Sequence, residues 1–443
     1  MQDLACLWKR CFGFVFGRLW ILGVLSTMLP LLFTACAHKP QNLNDTQDRT
    51  DNAIEALLPQ DLALDSSKIF LSTSQACKPN RPESALLSFV GDNVLGDYKG
   101  SAGATFNAKF KEVGEDMGYF SLGVREVLES DDLSIGNMEG VLSDKALKNA
   151  FDKPFSFKGS SRYTQILTTA GFEAMNVANN HSRDYGKQGF EDTIEHLRTS
   201  GLAVFGEGLV HIYEVNGIKF GLAGHRGWNL GIKDQVKREI QALRAQGADV
   251  VIFTFHWGEE RKHFPNATQR ALAHFTIDAG ADMVIGHHPH VLQGVEEYKG
   301  KKIIYSLGNF IYGGAKNPSD KDSMIYQTRF VRFSPKIMSD EVDQELAKKE
   351  QQEFIEDLRF DTCAREAYLE RAFIKGVERI DVLGDFVLIH SVIPVSISST
   401  QSYNDYSPRI YEPDSKGFER ILHRLESYSS HGARDRAKKK SKK

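Results

Sequence analysis

The chain of 443 residues has little cysteine and almost no net charge. Five cysteines do not build a disulfide scaffold in a chain of this length. Cys6, Cys11 and Cys36 fall in an N-terminal apolar segment, and a bridge between Cys77 and Cys363 stays open. The formal net charge of −3 supplies no bulk positive field, which argues against nucleic acid as a partner.

The remaining composition is that of a soluble globular protein. Hydrophobic residues make up 41% of the chain and charged residues 26%, which suits one large or two ordinary domains with a real core. Charge of one sign is concentrated in a basic run from Arg434 to Lys443. We expect residues 431–443 to form a solvated basic tail, or to make a loose contact with an anionic lipid or polymer.

The first 36 residues are typical of a targeting segment. Lys9, Arg10 and Arg18 precede the apolar run 19–35, and a basic flank before a short apolar stretch is a secretory signal pattern. The run ends in Leu-Phe-Thr-Ala-Cys, which resembles a bacterial lipoprotein box with Cys36 as the lipidated residue. An uncleaved transmembrane anchor is the alternative, since the run is near the lower length limit for spanning a bilayer. Both interpretations predict export and attachment to a bacterial membrane, at its periplasmic or extracellular face.

A polar stretch separates this segment from the predicted folded region. Residues 37–84 are rich in Asn, Asp, Gln and Ser and are typical of a tether, with one short helix near Asn52 to Leu58. Residues 85–314 form the predicted domain, and residues 315–430 a C-terminal extension that either completes its sheet or lies beside it. The elements predicted in the extension are helices at 337–357, 361–372 and 416–428 and strands at 379–383 and 386–395.

Apolar runs alternate with helical periodicity across residues 85–314, and this alternation predicts α/β layers. The strand-like runs are 86–90, 131–138, 174–178, 218–223, 248–255, 283–285 and 302–305, with another strand near Phe330. The predicted helices are 118–130, 163–170, 186–200, 232–246 and 267–279.

Several of these strand-like runs are followed directly by residue types that bind metals. The residues are Asp92, Glu139, Asn180, His181, His256, His288 and His290. Each alone has an ordinary alternative, such as a turn, a cap or a surface position. Their recurrence at strand ends, where α/β folds place their chemistry, predicts one shared site. The densest cluster is Gly286-His287-His288-Pro289-His290, and neutral imidazole is the commonest protein ligand for transition metals.

The order and spacing of these segments carry a family resemblance that runs from about Leu86 to Tyr312. The segments that carry it are Gly91–Gly96, Asn137–Glu139, Ala178–Gly186, His256–Glu260, Gly280–Gln293 and Tyr305–Phe310. As a set they resemble the CapA family of capsule-synthesis proteins, which are poly-γ-glutamate synthesis proteins with a metallophosphatase-like domain. The resemblance implies an α/β fold of the calcineurin-like metallophosphoesterase class, a four-layer sandwich of two sheets flanked by helices.

The resemblance also implies a site for two divalent metal ions, of manganese, zinc or iron. The implied ligands are Asp92 on the first metal, Glu139 as the bridge, Asn180 and His256 on the second metal, and His288 and His290 with one imidazole on each. His181 would be the non-ligand catalytic histidine that faces the substrate. Asp184 and Asp282 are candidates for orienting imidazole ligands, with a turn or cap role as the alternative for both.

Three positions depart from the pattern of the wider enzyme class. Val94 stands where those enzymes have a histidine, so the first metal lacks one imidazole. Either water or His287 fills this position, or the site holds a single, weaker metal. Glu139 replaces an aspartate as the bridging residue, and Arg261 stands where the family commonly has tyrosine.

The resemblance implies a part in the synthesis, export or anchoring of an anionic capsule polymer, and two functions of the domain are consistent with it. One is a metal-dependent hydrolase that acts on a phosphoester, or on an amide or ester of an envelope polymer, with His181 as general acid. The other is a non-catalytic protein that binds an anionic polymer of the poly-γ-glutamate type through metals, or an envelope scaffold. In both, a capsule-synthesis complex is an expected partner. The basic residues near the motifs that could meet polymer carboxylates are Arg183, Lys187, Arg226, Arg261 and Lys262.

Overall fold

Two packed β-sheets carry the fold. A computed structural model describes residues 83–151, 153–333 and 380–440, with positions 349, 352 and 353. The predicted signal segment and nearly all of the predicted tether lie outside the described residues, as do most of the predicted helices at 337–357 and 361–372. Within the described part, no helix combines the length and the apolar character needed to cross a bilayer.

The strands are numbered in chain order. They are β1 (Ser84–Val94), β2 (Asp97–Tyr98), β3 (Leu133–Met138), β4 (Val141–Leu142), β5 (Phe157–Gly159), β6 (Ala174–Asn176), β7 (Ala203–Phe205), β8 (His211–Val215), β9 (Ile218–Arg226), β10 (Val250–His256), β11 (Met283–His287), β12 (Val295–Tyr298), β13 (Lys301–Ile304), β14 (Asn309–Tyr312), β15 (Asp322–Arg332), β16 (Ile380–Leu383), β17 (Phe386–Ser396) and β18 (Arg409–Ile410).

The described strands form two large sheets and one small one. The larger sheet has the order β16-β17-β15-β1-β3-β6-β7, with β14 beside β1 and β18 beside β17. The second sheet has the order β12-β13-β11-β10-β9-β8, and the small sheet is β2-β5-β4. Strands β1, β3, β6 and β7 run parallel, as do β9, β10, β11 and β13. Each large sheet therefore gathers the carboxyl ends of its parallel strands at one edge.

Helices cover the outer faces of both large sheets. The α-helices are α1 (Phe106–Glu112), α2 (Arg125–Glu129), α3 (Thr164–Ala170), α4 (Gly186–Thr199), α5 (Lys233–Ala245), α6 (Ala267–Asp278) and α7 (Lys416–Lys440), and the 3₁₀ helices are Met117–Ser121, Ser161–Tyr163 and Leu230–Ile232. Helix α6 begins with a capping box in which Asn266 and Gln269 each bind the other's backbone N–H.

Three apolar cores fill the spaces between the layers. Phe89 and Ile135 of the larger sheet pack against Phe220, Ile252 and Ile285 of the second sheet. Helices α1 to α4 cover the other face of the larger sheet, and α5 and α6 cover the other face of the second sheet. Strand β10 is buried along its whole length, as expected for a parallel strand covered on both faces. This helix–sheet–sheet–helix order confirms the predicted α/β four-layer sandwich.

The C-terminal extension contributes strands to the larger sheet. Strand β15 pairs antiparallel with β1, and β17 pairs with β15. Helix α7 adds Phe418, Ile421 and Leu425 to the core between the sheets. Its Arg420 and Arg424 each donate to the Asp322 carboxylate of β15 over 2.6 Å. The extension thus completes the sheet, and its last helix continues to Lys440, beyond the predicted end at 428.

The helix predicted over residues 118–130 is wrong. This segment is a 3₁₀ helix and the short α2, separated at Gly123. Gly123 forms a β-bridge with Arg409, and its carbonyl accepts the N–H of Ile410 over 3.3 Å. A Cβ at Gly123 would lie 2.7 Å from Cγ of Arg409. The chain leaves helical geometry to pair with a distant segment, which local periodicity does not reveal.

We predict that Glu173→Gln stabilises the protein increasingly as pH rises from about 4.5 to 7. Burial raises the pKa of Glu173, which precedes β6, to about 7. A carboxyl group whose pKa is raised on folding stabilises the fold below its unfolded pKa, and this contribution is lost as pH rises through the folded pKa. Each unit of pKa difference corresponds to about 1.4 kcal/mol.

The measurement is the free energy of urea unfolding across this pH range. Glu195→Gln on α4 is the control, because it makes the same chemical change at an exposed position. A constant difference between Glu173→Gln and the wild type at all pH values would contradict the prediction.

Candidate metal centre

The metal-binding residue types predicted from the sequence meet where the two large sheets bring their strand ends together. Asp92 lies two residues before the end of β1, Glu139 directly follows β3, and His256 is the last residue of β10. All three side chains are fully buried. His288 and His290 follow β11 in a short loop. Both sheets therefore contribute to one site.

One group of possible ligands consists of Asp92, Glu139 and His290, whose ligand atoms all lie within 4.8 Å of one another. Nδ1 of His290 is 3.2 Å from Oδ2 of Asp92, and Nε2 of His290 is 3.8 Å from Oε1 of Glu139. The Nδ1 atom also lies 2.9 Å from Oδ1 of Asn309, the first residue of β14. These contacts orient the imidazole so that its Nε2 faces the carboxylate of Glu139.

A second group consists of Glu139, His256 and His288. Nε2 of His256 is 3.1 Å from Nδ1 of His288, 3.6 Å from Oε1 of Glu139 and 2.6 Å from Oδ1 of Asn180. Four atoms of ligand type thus converge on one point. Because Glu139 belongs to both groups, it lies in the position of a bridging carboxylate between two sites.

The donor set fits a divalent cation. Both carboxylate oxygens of Glu139 are buried and accept no hydrogen bond. Burial raises the pKa of Glu139 well above its usual value, although the charge of His290 acts in the opposite direction. A buried carboxylate without donors is costly unless a cation compensates it. Mixed carboxylate, amide and imidazole ligands suit manganese, iron and zinc.

The imidazoles differ in their readiness to bind a metal, which requires the neutral ring. Burial, together with neighbouring imidazoles, lowers the pKa of His288 to about 3 and holds the pKa of His256 well below its usual value. Burial also disfavours the charged form of His290, but Glu139 and Asp92 outweigh it and raise the pKa to about 9. The nearby carboxylates therefore favour the charged form of His290, whereas His256 and His288 favour the neutral form.

A network of asparagine amides holds the carboxylate of Asp92 in place. Nδ2 of Asn137 donates to Oδ1 of Asp92 over 2.8 Å. Asn176 and Asn179 donate in turn to Oδ1 of Asn137, over 2.9 and 3.3 Å. Sequence reasoning assigned no role to these residues. The available signal was an asparagine on each of two adjacent buried strands, β3 and β6.

His181 lies beside the two ligand groups, and Asp184 orients its ring from the side that faces away from them. Nδ1 of His181 is 2.8 Å from Oδ2 of Asp184, and Nε2 is 3.8 Å from Oε1 of Glu139. Lys153, another residue that the sequence did not single out, forms an ion pair with Asp184 and donates to the carbonyl of Asn180 over 3.1 Å. Burial lowers the pKa of His181, although Asp184 acts in the opposite direction. The structure thus places Asp184 where an orienting carboxylate is needed.

The histidine loop has an unusual backbone. His288 and His290 have φ values of 96° and 56°, a region that costs free energy for residues with a side chain. The backbone N–H of His288 donates to Oδ2 of Asp92 over 3.2 Å, which ties the loop to β1. A Cβ at Gly286 would lie 2.0 Å from the carbonyl oxygen of Tyr305. The loop geometry therefore depends on close packing as well as on ligand chemistry.

The sequence predicts that the first metal lacks one imidazole at Val94, and His287 lies near Asp92 without joining the ligand group. Nδ1 of His287 is 3.3 Å from Oδ1 of Asp92, so this imidazole neighbours the first group without belonging to it. Burial acts to raise the pKa of Asp92, but the nearby imidazoles of His287 and His290 outweigh it and hold this pKa well below its usual value. Val94 packs in an apolar cluster with Phe157.

Other sequence candidates lie outside the site. Asp282 accepts the N–H of Val251 over 2.8 Å and pairs with Lys301, at the opposite end of β11, so its role is structural. Among the basic residues, Arg226 pairs with Glu207. Arg183 lies over the ring of Phe190, and Lys187 pairs with Glu191 on the exposed face of α4.

The mouth of the site is lined by residues that, except for Arg261, had no role assigned from the sequence. Trp228, which is 42% exposed, meets the ring of His288 edge-on with centroids 4.7 Å apart. Next to His290 is a cavity of about 70 Å³ lined in part by Asn309, Tyr312, Glu260 and Arg261. A ligand in this cavity would touch the same imidazole that faces Glu139.

A two-sheet sandwich with carboxylates and imidazoles at shared strand ends defines a metallophosphoesterase-like protein. The sequence pattern of the family described as Bacterial capsule synthesis protein PGA_cap matches residues 86–313, about half of the chain. The protein belongs to this family of capsule synthesis proteins, which confirms the resemblance inferred from its motifs.

Individual relatives agree with this membership. The chain is 31% identical over 248 residues to the PGA biosynthesis protein CapA of Bacillus subtilis, an alignment that covers 51% of this chain and 62% of that protein. It is 29% identical over 317 residues to the capsule biosynthesis protein CapA of Bacillus anthracis, covering 64% and 74%. Among solved structures, a 5'-nucleotidase from Candida albicans aligns with 14% identity and a TM-score of 0.33, over 56% of this chain and 48% of that one.

We predict that Glu139→Gln abolishes metal-dependent stabilisation while leaving the metal-free protein at least as stable as the wild type. The substitution removes a buried charge that has no hydrogen-bond donor, and with it the one ligand shared by both groups. A metal at a hundredfold excess over its Kd stabilises a protein by about 2.7 kcal/mol, and this increment should disappear.

Thermal unfolding with and without Mn²⁺ or Zn²⁺ measures both effects. Glu259→Gln, at an exposed position outside both ligand groups, is the control. An equal metal-induced rise in Tm for the wild type and Glu139→Gln would show that Glu139 is not a ligand.

Proposed function

We propose that this protein is an exported, membrane-anchored participant in the synthesis, export or anchoring of an anionic capsule polymer of the poly-γ-glutamate type. We further propose that its metal centre hydrolyses a phosphoester or, as the second choice of bond, an amide or ester of that polymer. The observation that carries the hydrolase proposal is the meeting of two ligand groups at Glu139, with His181 oriented beside them. The names of the relatives support the polymer class.

The residues of the site divide into those that would hold metal ions and those that would take part in proton transfer. Asp92, Glu139 and His290 would hold one divalent ion, and Glu139, His256, His288 and Asn180 a second. Bound ions would supply Lewis acidity and a water of lowered pKa. The asparagine network around Asn137 keeps the Asp92 carboxylate oriented toward the centre.

His181 is suited to move a proton at the leaving oxygen. Asp184 binds its Nδ1, which leaves Nε2 as the atom that faces the centre. A lowered pKa makes the protonated ring a stronger acid, and Asp184 stabilises the charge while the ring holds the proton. Lys153 fixes Asp184 by an ion pair and thereby limits the positions that the imidazole can take.

We predict that His181→Asn lowers kcat for a generic phosphoester by about 10²- to 10⁴-fold, the usual contribution of general acid–base catalysis. The assay uses the full chain in detergent with Mn²⁺, Co²⁺ or Zn²⁺ and follows p-nitrophenol release. Asp184→Asn should cause a smaller loss and change the pH profile of kcat, since it removes the group that orients the ring. His423→Asn on the exposed face of α7 makes the same change away from the site and serves as the control.

Two results would count against hydrolysis. Turnover that is absent with every metal, in a protein shown by elemental analysis to hold metal, would replace hydrolysis with metal-dependent binding of the polymer. Turnover that is unchanged in His181→Asn would remove the proposed acid.

We predict that Cys36→Ser moves the protein from the membrane fraction to the soluble exported fraction. The basic flank and apolar run before Cys36 support a lipid anchor on this cysteine. Fractionation of a bacterial host and metabolic labelling with a fatty acid provide the measurement, with Cys77→Ser as the control. Retention of Cys36→Ser in the membrane, with no label on the wild type, would favour an uncleaved anchor.

A further inference from the structure

Two neighbouring charged residues, Glu260 and Arg261, line the cavity beside His290. Both side chains are exposed, and in the part of the chain that the structure describes neither forms a hydrogen bond or an ion pair. A third charged lining residue, Asp320, is neutralised by Arg424 of α7 at 3.0 Å. The cavity therefore presents one uncompensated negative group and one uncompensated positive group side by side.

The backbone holds this pair of residues in a fixed place relative to the metal centre. The N–H of Arg261 donates to the carbonyl oxygen of Pro289 over 2.8 Å. Nε2 of Gln293 donates to the carbonyl oxygen of Lys262 over 2.7 Å. Arg261 has a φ of 61°, a conformation that side-chain-bearing residues adopt infrequently. The loop that carries the charges is thus fastened to the histidine loop.

The charges act on the site. The negative charge of Glu260 contributes to raising the pKa of the buried Tyr312, behind the larger effect of burial, whereas Arg261 acts to lower it. Glu260 and Arg261 share the lining of the cavity with His290, so a ligand in the cavity can reach both residues and the metal centre together.

The size of the cavity limits what enters it. A volume of about 70 Å³ is well below that of sites for whole small molecules. It suits the end group of a longer molecule. A guanidinium recognises a carboxylate with two parallel N–H donors, and a carboxylate recognises an ammonium group. An end group that bears both charged groups on one carbon atom matches this pair.

We propose that Glu260 and Arg261 form a subsite for a zwitterionic amino-acid end group, with the ammonium at Glu260 and the α-carboxylate at Arg261. The identity of the polymer that supplies this end group rests on the proposed function. In a γ-linked glutamate chain, the first residue keeps its amino group and its α-carboxylate on the same carbon. In an α-linked chain, the peptide bond consumes that α-carboxylate. The subsite therefore distinguishes the two linkages at the amino end.

The test is calorimetric binding of three probes to the full chain with Mn²⁺ present. The probes are γ-glutamyl-glutamate, α-glutamyl-glutamate and N-acetyl-γ-glutamyl-glutamate. The wild type should bind the first probe about tenfold more tightly than the other two, the effect of about one charge-assisted contact. Arg261→Ala and Glu260→Gln should each weaken binding of the first probe about tenfold. Arg261→Lys keeps the positive charge but loses the two parallel N–H donors, so its affinity for the first probe should lie between those of the wild type and Arg261→Ala.

Neighbouring residues of the same charges provide matched controls. Lys262→Ala and Glu259→Gln remove one charge each on the same exposed loop but outside the lining of the cavity, and should bind as the wild type does. Equal binding of the two dipeptides, or the same loss in the controls as in Arg261→Ala and Glu260→Gln, would overturn the subsite. Competition by inorganic phosphate with no effect of Glu260→Gln would overturn it in favour of simple anion binding.

The subsite and the hydrolase fail in different ways. Linkage-dependent binding without turnover of any phosphoester would support the subsite and remove the hydrolase. Turnover of a generic phosphoester with equal binding of both dipeptides would overturn the subsite and leave the hydrolase in place.

Discussion

The buried carboxylate of Glu139 is the constraint on which the arrangement of the site depends. Removing a carboxylate from water costs several kcal/mol unless hydrogen bonds and opposite charge compensate it, and neither oxygen of Glu139 accepts a hydrogen bond. Imidazole nitrogens of His181, His256 and His290 surround its Oε1 at 3.6 to 3.8 Å, too far for hydrogen bonds. A shared cation is the simplest partner that satisfies the carboxylate and the neutral imidazoles together.

This constraint connects the site to the packing of the two sheets. Asp92 and Glu139 belong to the larger sheet, whereas His256, His288 and His290 belong to the second sheet. Each ligand group therefore draws on both sheets, and a bound cation would link them across the core that contains Phe89 and Ile252. Metal affinity and the stability of sheet packing would consequently be coupled, since a ligand that binds only the folded arrangement stabilises it.

The sequence predicted the layers and the convergence of ligand-type residues because each depends on a local pattern. A buried apolar run followed by Asp92, Glu139 or His256 is visible in the chain, and parallel strands bring such ends together. Residues whose roles depend on contacts between distant segments were missed. Asn137 gains its role from Asp92 and Asn176 on neighbouring strands, and Gly123 interrupts a predicted helix because of Arg409.

The loop that carries His288 and His290 performs two tasks, and its strained backbone explains how. Positive φ values persist only where surrounding contacts fix them, and here the His288 N–H binds Asp92 while the Pro289 carbonyl accepts the N–H of Arg261. The same segment thus aims imidazoles inward at Glu139 and binds the backbone of Arg261, whose side chain lines the cavity. Joining the two loops in this way limits the distance between the metal centre and any end group bound beside it. For the proposed hydrolase, such a restricted distance would select one bond in a long, repetitive polymer, because only the bond at that spacing would reach the centre.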